Sequence, residues 1–267
     1  MLHYLERKID NMIWIIPMAG KGKRTRPLGE FKPFIKINGQ TILSWLLLSI
    51  KRHIKQKDEI VFVTTKYFSK KFNVSNNIKK ILQNNRIKNK NKVLLTENNP
   101  KGPAETVYKA LLAIDRTKPV AVVNCDQYID FDFNGDVPHD TCFMTVYAEF
   151  TNKSGYVKIK KGFITKVVEK KNISNLASAG VFIFPSGEAL LNALKQLFED
   201  KLTVKGEYYL SSAMNYLISG GYKILPIPVM AKYDLGSIEG IKHFSSVITQ
   251  KSFCIPQEFY ELSSSNR

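Results

Sequence analysis

The chain is short of cysteine, of long apolar runs and of acidic residues, and each shortage excludes something. Cys125, Cys142 and Cys254 are the only three cysteines in 267 residues, and none falls in a CxxC or CxxH spacing. That pattern argues against a disulfide framework or a structural zinc site and fits a reducing cytosol. No uncharged apolar stretch reaches the length of about 18 residues that a bilayer requires, the longest being Thr41 to Ile50. The N-terminus opens with Glu6, Arg7, Lys8 and Asp10, unlike a signal peptide. A cytoplasmic protein without membrane insertion is expected. His3, His53, His139 and His243 are isolated, and no GxSxG serine elbow occurs. Neither a histidine metal centre nor a hydrolase triad is therefore expected, and Cys125 lies beside a carboxylate that would raise its pKa.

Acid is outnumbered by base, with 23 Asp and Glu against 40 Lys and Arg and a formal net charge of +17. Such a surplus favours an anionic partner. The lysines are spread along the whole chain, however, and no RRM-like aromatic motif or helix-turn-helix signature accompanies them, so nucleic acid is not the expected partner. What the chain has in plenty is apolar residues, 44% against 24% charged. This is the balance of a folded globular protein.

Periodicity orders that apolar material. Met12 to Met18 reads as a buried strand, Thr41 to Ile54 as a helix, Asp58 to Thr65 as a strand, Asn76 to Asn85 as a short helix and Lys92 to Glu97 as a strand. Gly102 to Ile114 follows as a helix and Pro119 to Asp126 as a strand. A βα series of this kind predicts a mostly parallel sheet with helices on both faces and a ligand at the carboxyl ends of its strands. Beyond it, Cys142 to Glu149 and Ser178 to Phe184 read as strands around a hairpin, Tyr156 to Lys170, that turns at Lys161-Gly162. Ser186 to Asp200, Tyr208 to Ser219 and Ser237 to Gln250 read as helices and Lys223 to Val229 as a strand. The Asn- and Lys-rich patch from Asn73 to Lys92 reads as a surface excursion, and the tail from Ser263 as frayed. Trp14 and Trp45 fall at core positions, and Asp130, Asp132 and Asp136 read as loop carboxylates.

Chemistry concentrates after the first strand, in Pro17-Met18-Ala19-Gly20-Lys21-Gly22-Lys23-Arg24-Thr25-Arg26-Pro27. Small residues at Ala19, Gly20 and Gly22 let backbone N–H groups approach a polyanion, and Lys21, Lys23, Arg24 and Arg26 supply charge there. The loop is neither a Walker A sequence nor a GxGxxG fingerprint. The plainer reading is a glycine turn with solvated lysines. Lys32, ahead of Pro33 in an extended segment, can reach the same anion. Asp126 ends the strand Val120 to Cys125, where one carboxylate can be held over a crevice, although a simple strand-ending turn residue reads the same way.

The combination of MAGKGKR with the downstream KPFIKINGQTIL resembles the sugar-phosphate nucleotidylyltransferase superfamily, which makes nucleotide-activated sugars, and the resemblance extends over about Met12 to Gly240. It implies an α/β, three-layer αβα, Rossmann-like (GT-A-like) mixed sheet, mostly parallel, in a single domain with a small β-rich acceptor-binding subregion. The expected division is an extension at 1–11, a nucleotidyltransferase domain at 12–251 with an NTP-binding half at 12–135 and an acceptor-binding half at 136–251, and a tail at 252–267. It also implies roles. Arg24, Lys32 and Asp126 would be catalytic, and Met18, Ala19, Gly20, Gly22, Lys23, Gly102 and Pro103 would bind the nucleotide. Gly155, Glu169, Lys170, Gly180 and Glu207 would bind the acceptor, and Asp126 with Asp234 would hold Mg2+, although Asp-x-Gly also makes ordinary turns and Glu169-Lys170 lies in a Lys-rich hairpin.

The implied reaction joins an NTP to a phosphorylated small-molecule acceptor, most simply a sugar-1-phosphate, for capsule or lipopolysaccharide biosynthesis. The loop is one residue shorter than AGGxGTR and closer to the AGxGxR of phosphocholine-type cytidylyltransferases, and the glutamine set before the base is absent, with Thr96 or Glu97 near its place. CTP, UTP and dTTP all stay open, as does a homo-oligomer. The alternatives are a cytidylyltransferase acting on phosphocholine or a phospho-amino acid, and a GT-A glycosyltransferase, which would normally show Asp-x-Asp where this chain has Asn124-Cys125-Asp126.

Overall fold

A computed structural model describes residues 11–96, 100–151 and 153–249. β1 (Ile13–Pro17) is buried along its whole length. Two 3-10 turns follow, Lys23–Leu28 and Lys32–Phe34, and then a two-strand ribbon of β2 (Lys36–Ile37) and β3 (Gln40–Thr41). Thr41 caps α1 (Ile42–Ile50), its hydroxyl accepting from the Ser44 N–H at 3.1 Å. β4 (Glu59–Thr65) comes next, and Thr65 caps α2 (Lys66–Lys71) in the same way. α3 (Val74–Asn84), β5 (Lys90–Thr96), α4 (Pro103–Leu111), β6 (Val120–Val123), β7 (Gln127–Phe131) and β8 (Thr141–Ala148) complete the first half. The hairpin of β9 (Gly155–Lys160) and β10 (Phe163–Glu169) turns through Lys161 and Gly162, both at positive φ, as the two-residue loop requires. β11 (Leu176–Phe184), α5 (Gly187–Glu199), α6 (Leu210–Ser219), β12 (Lys223–Asp234) and α7 (Ile238–Thr249) close the chain.

The strands form one sheet in the order β5-β4-β1-β6-β11-β8-β12-β7, with the β9–β10 hairpin attached to β11. From β5 to β12 only β11 runs against the others, so the expected mostly parallel, mixed sheet is what the chain forms. Both faces are covered. Ile13 and Ile15 of β1 join α4, α5 and α6 on one face, while Trp14 and Ile16 join α1, α2 and α3 on the other. A strand buried on both faces must be apolar at every position, which is why its sequence runs continuously instead of alternating. The three layers follow from that. Trp14 and Trp45 are buried, Trp45 in a third cluster with Tyr128 and Phe244.

Three local expectations change. The segment read as a surface excursion contains α3, whose Val74, Ile78, Ile81 and Leu82 are buried; the polar Asn and Lys residues cover only its outer side. Asp130 belongs to β7 and not to a loop, because the apolar positions around it pair with the second half of β12. β12 itself runs five residues past its expected end and changes partner, pairing with β8 up to Pro228 and with β7 from Val229. Residues 1–10 of the expected extension at 1–11, the whole of the expected tail at 252–267, Glu97, His3 and Cys254 lie outside the described residues.

Candidate active site

The loop after β1 folds back against Lys32. Gly22 sits at a φ of +56°, where a Cβ would stand 3.2 Å from the Lys32 Cβ, so glycine permits both the turn and the close approach. Buried Thr25 fixes this bend by donating to the Gly22 carbonyl from its N–H at 3.0 Å and its hydroxyl at 3.2 Å. Met18 extends the ladder by donating to the Val63 carbonyl, while Gly20 has open space on its Cβ side. Lys23 and Arg24 are exposed.

Phe31 packs among Phe34, Phe68 and Phe72 and so anchors the turn that presents Lys32. The Lys32 Nζ lies 2.5 Å from the Asp126 Oδ2. Burial alone would lower the Lys32 pKa, but the Asp126 carboxylate outweighs it and holds the ammonium above its ordinary range. Burial likewise works to raise the Asp126 pKa, and Lys32 with Arg24 holds it below the usual carboxylate value. Burial pushes the Cys125 thiol up to about 12, with Asp126 adding to the shift, so the thiol stays protonated as expected; burial is the greater cause.

β12 brings the second aspartate. Its pairing with β7 sets Asp234 opposite Gln127, and the Leu235 N–H donates to the Asp126 carbonyl at 2.9 Å. Asp234 accepts from the Gly236 N–H at 2.9 Å and the Ser237 hydroxyl at 2.7 Å. A Cβ on Gly236 would stand 2.4 Å from the Asp126 Oδ2, 3.0 Å from the Asp234 Oδ1 and 3.2 Å from the Arg24 Nη2. Both carboxylates and the guanidinium thus converge on one point that glycine keeps open. Among the described residues no group of three or more His, Cys, Asp and Glu could hold a metal ion. Two converging carboxylates beside a cavity nevertheless fit Mg2+, which takes one or two of them and fills its other positions with water and phosphate oxygens.

The opposite wall is tied to this one through the backbone. Gly102, at a φ of +105°, lies so close to Tyr208 that a Cβ would meet its carbonyl oxygen at 2.5 Å, and the Tyr208 N–H donates to the Lys101 carbonyl. Pro103 then opens α4. Gly155 makes room for Glu169, whose carboxylate accepts from the Ser211 hydroxyl; burial raises the Glu169 pKa despite that bond. Lys170 adopts a left-handed φ of +54°, its N–H bonded to the Ser154 carbonyl and its ammonium to the Tyr209 hydroxyl, which donates in turn to Glu207 at 2.6 Å. Gly180, at a φ of +88°, backs onto the side chains of Asn124 and Gln127.

One cavity of about 1190 Å3 takes in both walls, and every residue expected to be catalytic or to bind nucleotide, acceptor or metal lines it, whereas Arg26 and Thr96 do not. The cavity also includes Gln127, Lys232, Tyr209 and Ser211, which the sequence reading did not single out. Signals for two of them were present. Lys232 lies two residues before Asp234, and so on the same strand face, and Tyr209 lies two residues after Glu207. Among the described residues the buried Gln127 Nε2 has no hydrogen-bond partner.

A family model described as Nucleotidyl transferase matches residues 14–251. The chain belongs to the nucleotidyl transferase family. It is therefore a nucleotidyltransferase enzyme, and the glycosyltransferase alternative loses its support. No curated protein matches the chain. Among solved structures, a nucleoside-diphosphate-sugar pyrophosphorylase from Vibrio cholerae RC9 shares 20% identity at a TM-score of 0.74, over 87% of this chain and 99% of that one. The inositol-1-phosphate CTP transferase from T. maritima shares 14% at 0.69, over 92% and 99%. A UTP-bound UGPase from Acinetobacter baumannii shares 16% at 0.64, over 96% and 100%. These likenesses establish the nucleotidyltransferase fold. No helix among the described residues is long and apolar enough to cross a membrane.

Proposed function

We propose that this nucleotidyltransferase moves a nucleoside monophosphate from an NTP to a sugar-1-phosphate, releasing pyrophosphate and an NDP-sugar that would feed surface polysaccharide synthesis. The observation that carries the reading is the single cavity, with a cationic cradle on one wall and a Lys170–Tyr209–Glu207 chain on the other. A phosphate monoester has its second pKa at about 6, so the acceptor arrives as a competent anion and needs no general base. Its oxygen attacks the α-phosphorus, a new P–O bond forms, and the bond to the β-phosphate oxygen breaks.

Two polyanions must meet for this, and the chain supplies the cations. Arg24, Lys23 and the backbone of Ala19, Gly20 and Gly22 would take the triphosphate, with Met18, Gly102 and Pro103 bordering the nucleoside. Lys32 would exchange part of its contact with Asp126 for a phosphate oxygen. Lys170 would grip the attacking phosphate, while Glu169 and Glu207, with Gly155 and Gly180 making space, would accept from sugar hydroxyls. Asp126 and Asp234 would hold Mg2+, which when bound neutralises phosphate charge.

Two of the similar structures, by their printed names, act on or bind nucleotide sugars or UTP, which supports the sugar acceptor. A second reading has support of its own: the short AGKGKR loop and the likeness to a CTP transferase favour CTP as donor and admit a polyol phosphate such as inositol-1-phosphate. Pyrophosphate release should be measured with Mg2+ for ATP, CTP, GTP, UTP and dTTP, each against sugar-1-phosphates, inositol-1-phosphate and phosphocholine. Release that needs both an NTP and a sugar-1-phosphate supports the proposal. Release with an NTP alone, or only with a non-sugar phosphate, overturns it.

A further inference from the structure

Lys232 has no counterpart in the scheme so far. Alternation along β12 puts it on the same face as Asp234, while Tyr233 between them packs with Tyr128 and Phe244 in the third core cluster. Its ammonium lies over the Tyr147 ring, 4.0 Å from the centroid, and lines the cavity. A half-buried ammonium normally finds a carboxylate. Here each neighbouring carboxylate is already engaged by other donors: Asp126 by Lys32, Asp234 by Gly236 and Ser237, and Glu149 by the Tyr147 hydroxyl and the N–H groups of Phe150 and Thr151. Among the described residues Lys232 has no hydrogen bond or ion pair, so its three N–H donors are spare and open onto the cavity.

We infer that Lys232 is a second substrate-binding cation of the acceptor site, which holds the attacking phosphate from the β12 side while Lys170 holds it from the β9–β10 hairpin. This rests on the proposed transfer reaction. The position argues for the acceptor and not the triphosphate tail. The Tyr147 hydroxyl beneath Lys232 is bonded to the Ser154 hydroxyl at 3.0 Å, and Ser154 is the residue whose carbonyl fixes the Lys170 backbone. Lys21, Lys23 and Arg24 reach the cavity from the loop after β1 instead. The Tyr147 ring holds the ammonium without an ion-pair bond, which leaves its N–H donors for an incoming anion.

The test uses inorganic phosphate as the probe, titrated calorimetrically into the full chain, beside steady-state kinetics. K232M should weaken phosphate binding about tenfold or more, K232R should recover most of it, and K195M, an exposed lysine on α5, should leave it unchanged. With the active substrate pair, K232M should raise the acceptor KM by a similar factor with the NTP KM unmoved. Equal phosphate affinity in wild type and K232M, no phosphate binding by the wild type, or a rise confined to the NTP KM overturns the inference. Thermal melting identifies a misfolded K232M, in which case K232R and K232Q decide by the same criteria. Lys232-dependent phosphate binding without pyrophosphate release from any pair would overturn the transfer reaction alone.

Discussion

The two walls of the cavity handle their cations differently. On the wall proposed for the nucleotide Lys32 is bonded to the Asp126 carboxylate at 2.5 Å, and the partnership holds both groups in their charged forms. On the wall proposed for the acceptor Lys170 rests on a neutral phenol and Lys232 on a ring face, and among the described residues neither is bonded to a carboxylate. The first arrangement protects the core from an unpaired charge and keeps a carboxylate ionised at the strand end, where a divalent cation would need it. The second leaves ammonium donors free of an ion-pair bond where the proposed phosphate would be received. Lys32 on the first wall would be displaced from its partner by substrate; Lys170 and Lys232 on the second are available beforehand.

Substitutions can break this contrast. The largest effect is expected for Asp126→Asn, which removes the carboxylate proposed to hold Mg2+ and the Lys32 partner together: turnover should fall about 100- to 1000-fold with the circular dichroism spectrum intact, and unchanged turnover would take Asp126 out of the chemistry. Gly236→Ala pushes a Cβ into the point where Asp126, Asp234 and Arg24 converge, so it should cost about 100-fold in turnover and raise the Mg2+ concentration for half-maximal rate. Lys170→Met should act on one wall only, raising the acceptor KM about tenfold while the NTP KM holds. The opposite split would exchange the roles of the walls.

The smallest effect concerns pH. Burial raises the Glu169 pKa above its ordinary 4.5, so the folded protein binds that proton more tightly than the unfolded chain does. Stability from this group is present at low pH and is lost as pH rises through the raised value. The acceptor KM should move the other way, falling as Glu169 ionises and can accept from a hydroxyl. Glu169→Gln should flatten both dependences in melting curves and in KM measured from pH 4 upward; a dependence that survives belongs to another group.

Much of this architecture could be read from the chain. The run Ile13 to Pro17 and the apolar Val120 to Val123 are buried on both faces, and continuous hydrophobicity is the direct consequence. The cradle was legible because a glycine at positive φ and a buried threonine after it are local requirements of a tight turn. α3 was legible as a short helix, but its burial was not, because asparagine and lysine dominate its composition although four buried apolar positions decide its packing. Lys232 was missed because its alternation with Asp234 counts only once β12 is known to run past Val229 to Asp234, and Tyr209 because its spacing from Glu207 acquires meaning only when both face one cavity.

The sequence by itself determined the order of strands and helices apart from α2, β7 and the β2–β3 ribbon, the cationic loop and the placement of a carboxylate at a strand end, since these depend on residues within one turn or one strand of each other. Only the tertiary structure decided that Lys32 reaches Asp126, 94 positions away, that β12 leaves β8 for β7 and so carries Asp234 to the same point, and that Lys232 keeps no carboxylate of its own. Those outcomes depend on register between distant strands, which no local pattern encodes.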